Sequence, residues 1–218
     1  MTRLILAGAG GFACEIHEYL RQDIQSGHLR DCEIAGVLDD FPDRYYAHSG
    51  LPAPLLGSID DYRGRDGEAV IIANGTPRHR QRIAARLAAN GASFFTYVHS
   101  SCYVASTARL GVGVVVCPQA ILNHGCRVDD FAVLNVFASA GHGCRIGAYT
   151  VLSPYAAVNG DGAVGECGFL GTRATVYPKV TLGRDCTVDT HSFVKASVGD
   201  GMIVSNRAEY KVIRNRLI

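Results

Sequence analysis

The sequence predicts a parallel β-helix that follows a small Rossmann-like α/β domain. Two observations indicate the β-helix: an aliphatic residue recurs every six positions between residues 104 and 194, and a mostly small residue stands two positions before each one. The earlier part of the chain instead alternates strand, glycine turn and helix. We predict residues 1–98 as the Rossmann-like domain, 99–205 as the β-helix and 206–218 as a C-terminal tail.

The composition is that of an ordinary chain that can bury a core. Its 218 residues are 48% hydrophobic, which suits one or two domains. A net charge of +1 gives no long-range field that would attract nucleic acid or a membrane surface. The chain begins without a secretory signal and has no apolar run of membrane-spanning length. We therefore expect a cytoplasmic protein with neither nucleic acid nor membrane as a partner.

The first domain is predicted from its order of elements. The expected strands are residues 3–7, 33–38, 69–73 and 94–98, and the expected helices are residues 12–26 and a segment after Pro77. Strands that alternate with helices form a parallel sheet with helices packed on it. This order fits a small Rossmann-like domain.

A glycine turn after the first strand predicts a phosphate site. Gly8, Gly10 and Ala13 fit the pattern G-x-G-x-x-A, in which backbone amides and the helix dipole can hold a phosphate group. Asp39 and Asp40 end the second strand and can accept hydrogen bonds from ribose or base groups. NAD binding, a purely structural turn and a solvated aspartate pair are the alternatives. The residues that we assign to substrate binding in this domain are Gly8, Gly10, Gly11, Asp39, Asp40, Asn74 and Gly75.

The six-residue repeat has one large aliphatic position. It is occupied by Val104, Leu110, Val116, Leu122, Val128, Leu134, Ala140, Ile146, Leu152, Val158, Val164, Leu170, Val176, Leu182, Val188 and Val194. These side chains are expected to point into a prism and stack coil on coil. Burial of each one should stabilise the fold by roughly 1.5–3 kcal/mol. A short strand and a turn form the unit of a triangular β-helix, with three units in a coil of eighteen residues. An ordinary β-sandwich with frequent turns is the alternative.

The repeat also has a small position and a turn position. Four of the eight cysteines, Cys102, Cys126, Cys144 and Cys186, occupy the small position, and the eight form no CxxC pair. We therefore interpret most of them as reduced core residues. The residue after each aliphatic one is often Gly, Asn or Asp, which tolerate positive φ, so we predict the left-handed turn residue there.

Four segments together resemble a known family. They are Gly8-Ala9-Gly10-Gly11-Phe12-Ala13, Val37-Leu38-Asp39-Asp40, Val98-His99-Ser100-Ser101 and the hexapeptides. The chain resembles bacterial sugar acetyltransferases of the sialic acid O-acetyltransferase and bacillosamine N-acetyltransferase type over nearly its whole length. The resemblance implies a left-handed β-helix, a homotrimer, acetyl-coenzyme A in the cleft between neighbouring β-helices, and a sugar held by the N-terminal domain, often through its nucleotide.

The resemblance assigns the general base to His142. Family members commonly read Asn-Thr-Gly-x-x-x-Glu-His-Asp-Cys, and this chain has Gly141 in place of the glutamate that would orient the base. A second histidine that the family often carries is Val151 here. Acyl transfer from a thioester needs a base and a donor that faces the developing oxyanion. Gly160 lies one coil beyond His142, so we predict its backbone amide as that donor.

A second histidine occupies the same repeat position one coil earlier. His124 lies in Asn123-His124-Gly125-Cys126-Arg127-Val128, which matches Gly141-His142-Gly143-Cys144-Arg145-Ile146. The pair is open to three interpretations: only His142 is catalytic, both belong to a surface histidine ladder, or both bind zinc with a third ligand across an interface. His191 is the candidate for that third ligand.

We expect an acetyltransferase that moves an acetyl group from acetyl-coenzyme A to an amino or hydroxyl group of a nucleotide-linked sugar, for bacterial surface glycan biosynthesis. N-acetylation is favoured because an amine needs less help from a base than a hydroxyl. A non-catalytic sugar-nucleotide-binding relative and a zinc-dependent enzyme are the alternatives, although no metal is expected. Outward apolar groups such as Phe137 favour a homotrimer. Asn135 is assigned to the substrate, and the residues assigned to acetyl-coenzyme A are Gly160, Thr172, Lys179 and Thr190.

Overall fold

The computed structural model describes residues 1–206, so almost all of the predicted C-terminal tail lies outside the described residues. The N-terminal domain has the predicted Rossmann-like order, with short additional elements between its second and third predicted strands. Its elements are β1 (Thr2–Ala7), α1 (Gly11–Gln25), β2 (Cys32–Leu38), α2 (Tyr46–Ser49), β3 (Leu55–Gly57), β4 (Glu68–Ile72) and α3 (Pro77–Ala89). α2 and β3 were not predicted from the sequence, since each has too few residues to show a period.

The strands of this domain form a parallel sheet in the order β3-β2-β1-β4. Leu4 and Leu6 pack with Ile16 of α1, whereas the alternate residues of β1 pack with α3 on the other side. Successive side chains of a strand point to opposite faces, so the two helices cover the two faces of the sheet. The carboxyl ends of β1 and β4 therefore meet at a switch point, where ligands bind in open α/β sheets.

The predicted strand at residues 94–98 is wrong as a single element. Phe94 makes an isolated parallel bridge with Val70 of the N-terminal sheet. Tyr97–Val98 instead forms β5, which pairs with Val115–Val116 in the β-helix. One apolar run between the two domains contributes residues to both sheets. Its periodicity does not show where one sheet ends and the next begins.

The remaining described chain is the predicted left-handed parallel β-helix. After β5, its strands in order are β6 (Tyr103–Val104), β7 (Arg109–Leu110), β8 (Val115–Val116), β9 (Ile121–Leu122), β10 (Arg127–Val128), β11 (Val133–Leu134), β12 (Ser139–Ala140), β13 (Arg145–Ile146), β14 (Val151–Leu152), β15 (Ala157–Val158), β16 (Ala163–Val164), β17 (Phe169–Leu170), β18 (Thr175–Val176), β19 (Thr181–Leu182), β20 (Thr187–Val188), β21 (Phe193–Val194) and β22 (Ile203–Val204). From β5 to β18 each strand pairs with the strand three places along, as in Arg127↔Arg145, so one coil takes eighteen residues. β20 pairs with β22 at the end of the prism. The aliphatic and small positions of the repeat form the inner core, as predicted.

Three faces enclose this prism. The domain face consists of β5, β8, β11, β14, β17, β20 and β22; the open face of β6, β9, β12, β15, β18 and β21; and the arginine face of β7, β10, β13, β16 and β19. Val115, Val133 and Val151, which are outward residues of the domain face, are buried against the N-terminal domain. The other two faces have no other part of the described chain packed across them as a domain.

Two edges of the prism carry the predicted site residues of the β-helix. The aromatic corner joins the domain face to the open face and comprises residues 117–120, 135–138, 153–156, 171–174 and 189–192. The histidine corner joins the open face to the arginine face and comprises residues 105–108, 123–126, 141–144, 159–162 and 177–180. Equivalent residues of one corner lie eighteen positions apart and stack on one another.

The left-handed residues of the corners lie two positions later than predicted. The sequence places positive φ directly after each aliphatic residue, as at Asp129 and Gly141, but φ is positive instead at Phe131 and Gly143. The first corner residue stacks closely on the next coil. A Cβ atom on Gly141 would lie 2.7 Å from the backbone nitrogen of Gly160. Asn123 and Asn159 occupy the same position on this corner, so neither stacking nor backbone conformation restricts it to glycine.

Arg80 of α3 ties the two domains together. Its guanidinium is fully buried and donates from Nη1 to the carbonyl oxygens of Ile72 (2.6 Å) and Asn74 (2.8 Å). Its Nε donates to the carbonyl oxygen of Phe131 in the β-helix at 2.9 Å. Burial lowers the pKa of Arg80 to about 9. The loop after β4 is thus fixed to a coil of the β-helix. Within residues 1–206, no helix is both long and apolar enough to cross a membrane.

Candidate active site

His142 projects from the histidine corner, with 69% of its side chain exposed. Gly160 lies directly beyond it in the next coil, and a Cβ atom on Gly160 would overlap Nε2 and Cε1 of the imidazole. The ring therefore rests against the face of this glycine. No residue within 1–206 accepts a hydrogen bond from the Gly160 amide. The predicted base and the predicted oxyanion donor are brought together.

The two stacked histidines have different partners. Nδ1 of His124 lies 2.9 Å from Oγ1 of Thr107, which also accepts a hydrogen bond from the backbone nitrogen of Gly125 at 2.9 Å. Nδ1 of His142 lies 3.9 Å from Oδ1 of Asp161. One imidazole thus faces a hydroxyl group and the other a carboxylate, although the two hexapeptides are nearly identical.

Asp161 was missed in the sequence analysis, which sought an orienting carboxylate only beside the base in sequence. The available signal was the coil length: Asp161 stands eighteen residues after Gly143, which follows His142. The same step had identified Gly160. Stacking in a β-helix makes residues one coil apart closer neighbours than residues a few positions apart along a strand.

The residues predicted to contact acetyl-coenzyme A divide between two corners. Lys179 lies on the histidine corner, and its backbone nitrogen donates to the carbonyl oxygen of Gly160 at 3.0 Å. Thr172 and Thr190 lie on the aromatic corner, together with Asn135, whose Oδ1 accepts from the next backbone nitrogen at 2.7 Å. The open face separates the two sets within one chain.

A groove of about 390 Å³ lies on the arginine face, outside the predicted set. It begins at Arg145, three residues after His142, and extends towards Glu166 and Arg184 at the edge nearest the N-terminal domain. None of Thr172, Lys179 and Thr190 lines it. The groove therefore adjoins the histidine corner but does not contain His142.

The predicted glycine turn lies at the carboxyl edge of the N-terminal sheet. Gly8 has φ of 116°, and a Cβ atom there would lie 2.9 Å from the carbonyl oxygen of Ala73, so this position requires glycine. Gly10 and Gly11 face open space, because a Cβ atom on either would have no neighbour within 4 Å. Gly10 is the N-cap of α1, where free amides and the helix dipole favour an anion.

The two aspartates after β2 have different surroundings. Asp39 is buried; its Oδ1 accepts from the Phe41 backbone nitrogen at 2.8 Å, while its Oδ2 has no hydrogen-bond partner in the described chain. Asp40 accepts from Nη1 of Arg86 at 2.6 Å and from the Ile59 backbone nitrogen at 3.0 Å. Asp39 thus keeps one buried oxygen without a hydrogen-bond partner, whereas Asp40 is occupied by internal contacts.

The loop after β4 reaches the same edge. Oδ1 of Asn74 accepts from the Thr76 backbone nitrogen at 2.9 Å, and Gly75 is exposed with open space at its Cα. Asn74 thereby shapes the start of α3 and leaves its amide NH₂ group without a protein acceptor among the described residues. The edge combines a helix N-terminus, one buried carboxylate oxygen and one amide donor.

The described coordinates contain no cluster suited to a metal ion. Across residues 1–206, no group of three or more His, Cys, Asp or Glu side chains is placed to hold one. His191, the proposed third zinc ligand, lies on the aromatic corner and is separated by the open face from His124 and His142 of the same chain.

Comparisons with known proteins agree with this geometry. The family model for the PglD N-terminal domain matches residues 3–87. No curated protein matches the chain. PerB from Caulobacter crescentus, solved in complex with CoA and GDP-perosamine, is 30% identical, with 94% of this chain and 95% of PerB covered and a TM-score of 0.83. The chain belongs to the bacterial sugar acetyltransferases of the hexapeptide-repeat superfamily.

Two further sugar acetyltransferase structures are similar to the chain. A histidine-to-asparagine variant of perosamine N-acetyltransferase from Caulobacter crescentus, in complex with CoA and GDP-perosamine, is 29% identical with a TM-score of 0.84, and the match covers 94% of both chains. The acetyltransferase domain of PglB from Neisseria gonorrhoeae FA1090, in complex with acetyl coenzyme A, is 25% identical with a TM-score of 0.82, and 94% of this chain and 96% of that domain are covered.

Proposed function

We propose that this sugar acetyltransferase transfers the acetyl group of acetyl-coenzyme A to an amino group of a nucleotide-linked sugar, with His142 as general base. The observation that carries the proposal is the exposed His142 imidazole, which lies against Gly160 and beside Asp161. Support comes from PerB, which was crystallised with CoA and GDP-perosamine, and from the crystallised variant of perosamine N-acetyltransferase in which a histidine is replaced.

The chemistry follows from these groups. The nitrogen lone pair of the sugar amine attacks the thioester carbonyl carbon and forms the C–N bond, while the carbonyl oxygen becomes an oxyanion. The amide of Gly160 would donate to that oxygen. Nε2 of His142 takes the proton that the nitrogen loses, the C–S bond breaks, and the proton passes to the departing thiolate of coenzyme A. After the acetylated product and the free thiol have formed, His142 is neutral again.

The N-terminal domain is proposed to hold the nucleotide. Its diphosphate would bind at the amides of Gly10 and Gly11, where the start of α1 favours negative charge. Oδ2 of Asp39 would accept a hydrogen bond from the base or ribose, because a buried carboxylate oxygen without a partner is costly until a donor reaches it. Asp40 is paired with Arg86, so it would stabilise the conformation of this edge and would not contact the ligand directly.

We further propose a homotrimer in which the site is shared between subunits. The open face and its edges expose Tyr103, Ile121, Phe137, Tyr155 and Phe193, each more than a third exposed. A monomer seldom leaves so many neighbouring apolar side chains in water. A second subunit on this face would bring its aromatic corner towards the histidine corner of the first, and so unite the two sets of predicted cofactor residues. The cytoplasmic location and the glycan pathway stay predictions.

The test is a screen of nucleotide amino sugars with acetyl-coenzyme A, in which release of thiol is measured. Each sugar is compared with its analogue that carries a hydroxyl in place of the amine. We expect turnover with at least one amino sugar and none with its hydroxyl analogue. Turnover with the hydroxyl compounds alone would establish O-acetylation. Binding of nucleotide sugars without thiol release, when CoA binding is intact, would contradict an enzyme function.

A further inference from the structure

The carboxylate of Asp161 is held beside His142 by the stacking of two coils. The Asp161 backbone nitrogen donates to the carbonyl oxygen of His142 at 2.8 Å, so the two residues keep a fixed relation along the histidine corner. From that position Oδ1 lies 3.9 Å from Nδ1 of His142. The distance is an ion-pair distance and not a hydrogen bond, and 53% of the Asp161 side chain is exposed.

Gly143 leaves the space in which this carboxylate sits. A Cβ atom on Gly143 would overlap Oδ1 of Asp161. The corner conformation alone does not require a glycine, because Asp161 and Lys179 occupy the same repeat position on the same corner with φ of 58° and 62°. The absence of a side chain at Gly143 is therefore explained by the carboxylate that it accommodates.

His124 has no equivalent carboxylate, because the residue whose backbone nitrogen donates to its carbonyl oxygen, as that of Asp161 does to His142, is Gly143. Nδ1 of His124 instead contacts Thr107 in the coil before. A hydroxyl such as that of Thr107 can donate to Nδ1 of His124 or accept from it, so it does not select a tautomer. An ionised carboxylate 3.9 Å away attracts an N–H group and repels a nitrogen lone pair, so Asp161 electrostatically favours the proton on Nδ1 of His142 and leaves Nε2 free to take a proton. The contrast distinguishes two histidines that the sequence repeat makes equivalent.

We propose that Asp161 is the positioning residue of His142, supplying from the next coil the carboxylate that related enzymes place beside the base in sequence. This inference rests on the proposed function, with His142 as base. The carboxylate selects the productive tautomer and stabilises the imidazolium that forms during transfer. The other exposed ionisable groups of this edge are His124 one coil before, Tyr177 and Lys179 one coil beyond Asp161, and Lys195 beyond them.

The first experiment measures the ring tautomer of His142 by ¹⁵N NMR in wild type, Asp161→Asn and Thr107→Val. It needs no substrate, so it remains informative if no acetyl acceptor is found. We expect Asp161→Asn to lower the fraction of His142 rings that carry the proton on Nδ1, because the negative charge that attracts this proton is removed. Thr107→Val should leave the His142 tautomer unchanged. An unchanged tautomer fraction of His142 in Asp161→Asn would overturn the proposal.

The second experiment measures kcat and the Michaelis constants of the same variants. Asp161→Asn should lower kcat by about tenfold without raising the Michaelis constants. Asp161→Glu should recover part of the loss, since its longer chain can still reach Nδ1. In the His142→Asn background, Asp161→Asn should cost nothing further, because both act through one base. A full additional tenfold loss there would show that Asp161 acts independently.

Gly143→Ala and Gly125→Ala provide a matched pair. Both glycines have similar φ, 65° and 69°, but a Cβ atom on Gly125 would have its nearest neighbour at 4.0 Å. Gly143→Ala should therefore reproduce the loss seen in Asp161→Asn, and Gly125→Ala should keep wild-type turnover. Equal losses in the two alanine variants would mean that backbone strain, and not displacement of the carboxylate, is responsible. If wild type itself shows no turnover, the proposed function fails while the NMR result still decides the contact.

Discussion

The histidine corner and the aromatic corner are built from one repeat but present different chemistry. The histidine corner carries small residues around His142 and Asp161. The aromatic corner carries Phe137 stacked on Tyr155, with ring centroids 4.8 Å apart, and Arg173 lies 5.2 Å from the Tyr155 ring. The backbone of the two corners is alike, since both place a left-handed residue at the third position. Side chains, and not the coil, therefore decide which edge can perform proton transfer.

Within one chain, the residues predicted to bind substrate and acetyl-coenzyme A are divided between the two corners. Thr172, Thr190 and Asn135 share the aromatic corner, while Gly160 and Lys179 share the histidine corner. The rigid open face separates them, and a packed prism does not bend to close that distance. If all five residues serve one site, then two chains must contribute to it. The predictions below test each corner separately and then the pairing.

The largest effect is expected at the base. His142→Asn should lower turnover by about a hundredfold or more and leave acetyl-coenzyme A binding nearly intact, because general base catalysis typically contributes 10²–10⁴-fold. Asparagine keeps the approximate size and hydrogen-bonding capacity of the side chain but accepts no proton near neutral pH. Turnover and CoA dissociation constants of both proteins provide the measurement.

His124→Asn is the internal control for that variant, because it changes the equivalent residue one coil away. We expect a much smaller loss, since Thr107 and not a carboxylate faces its ring. Small and equal losses in the two variants would refute His142 as the base. A large loss in His124→Asn alone would move the site one coil along the corner.

The next effect tests the fit between Gly160 and the imidazole. Gly160→Ala should lower kcat by about tenfold or more, because the added methyl overlaps Nε2 and Cε1 of His142 and displaces the ring. Gly199→Ala is the matched control, since a Cβ atom there has no neighbour within 4 Å. Kinetics and thermal unfolding of both variants separate displacement of the ring from loss of stability. Full activity in Gly160→Ala would mean that the His142 imidazole does not act as base from its position against Gly160.

The outline of the molecule was predictable from sequence because the repeat is local. Eighteen-residue stacking follows from the aliphatic positions, and it predicts Gly160 beside His142, where the structure has it. The left-handed residue was predicted two positions too early, because Gly, Asn and Asp are frequent at the first corner position although φ is positive at the third. The position of Asp161 beside His142 follows from the same stacking and not from its distance along the chain.

Other features depend on how separate elements pack together, which a sequence pattern does not encode. Asp39 and Asp40 are identical neighbours in sequence, yet Arg86 from α3 pairs with Asp40 and not with Asp39. The division of residues 94–98 between two sheets depends on which strands lie nearby. Such outcomes are set by the three-dimensional arrangement of elements, and local propensity is the same for either result.

The nucleotide edge should respond with a change in substrate affinity. Gly10→Val should raise the Michaelis constant for the nucleotide sugar by roughly tenfold with little change in kcat, because the side chain enters space reserved for a ligand and meets no protein atom within 4 Å. Asp39→Ala should act in the same direction. Gly199→Val is the control for bulk at an open glycine. Unchanged Michaelis constants in both site variants would require the nucleotide to bind elsewhere.

The smallest effect, and the one that tests whether two subunits share a site, comes from mixed assemblies. Light scattering should first report three chains for the wild type, and a monomer at micromolar concentration would exclude a shared site. His142→Asn and Gly10→Val chains are then unfolded, mixed in equal amounts and refolded together. If the histidine corner of one subunit works with the N-terminal domain of its neighbour, about a quarter of the sites join two intact halves, by random assembly around a closed ring. Activity at low nucleotide-sugar concentration should then exceed that of either variant refolded alone. If each chain instead holds a complete site, no mixed assembly joins two intact halves, and the mixture should show only the average of the two separate preparations.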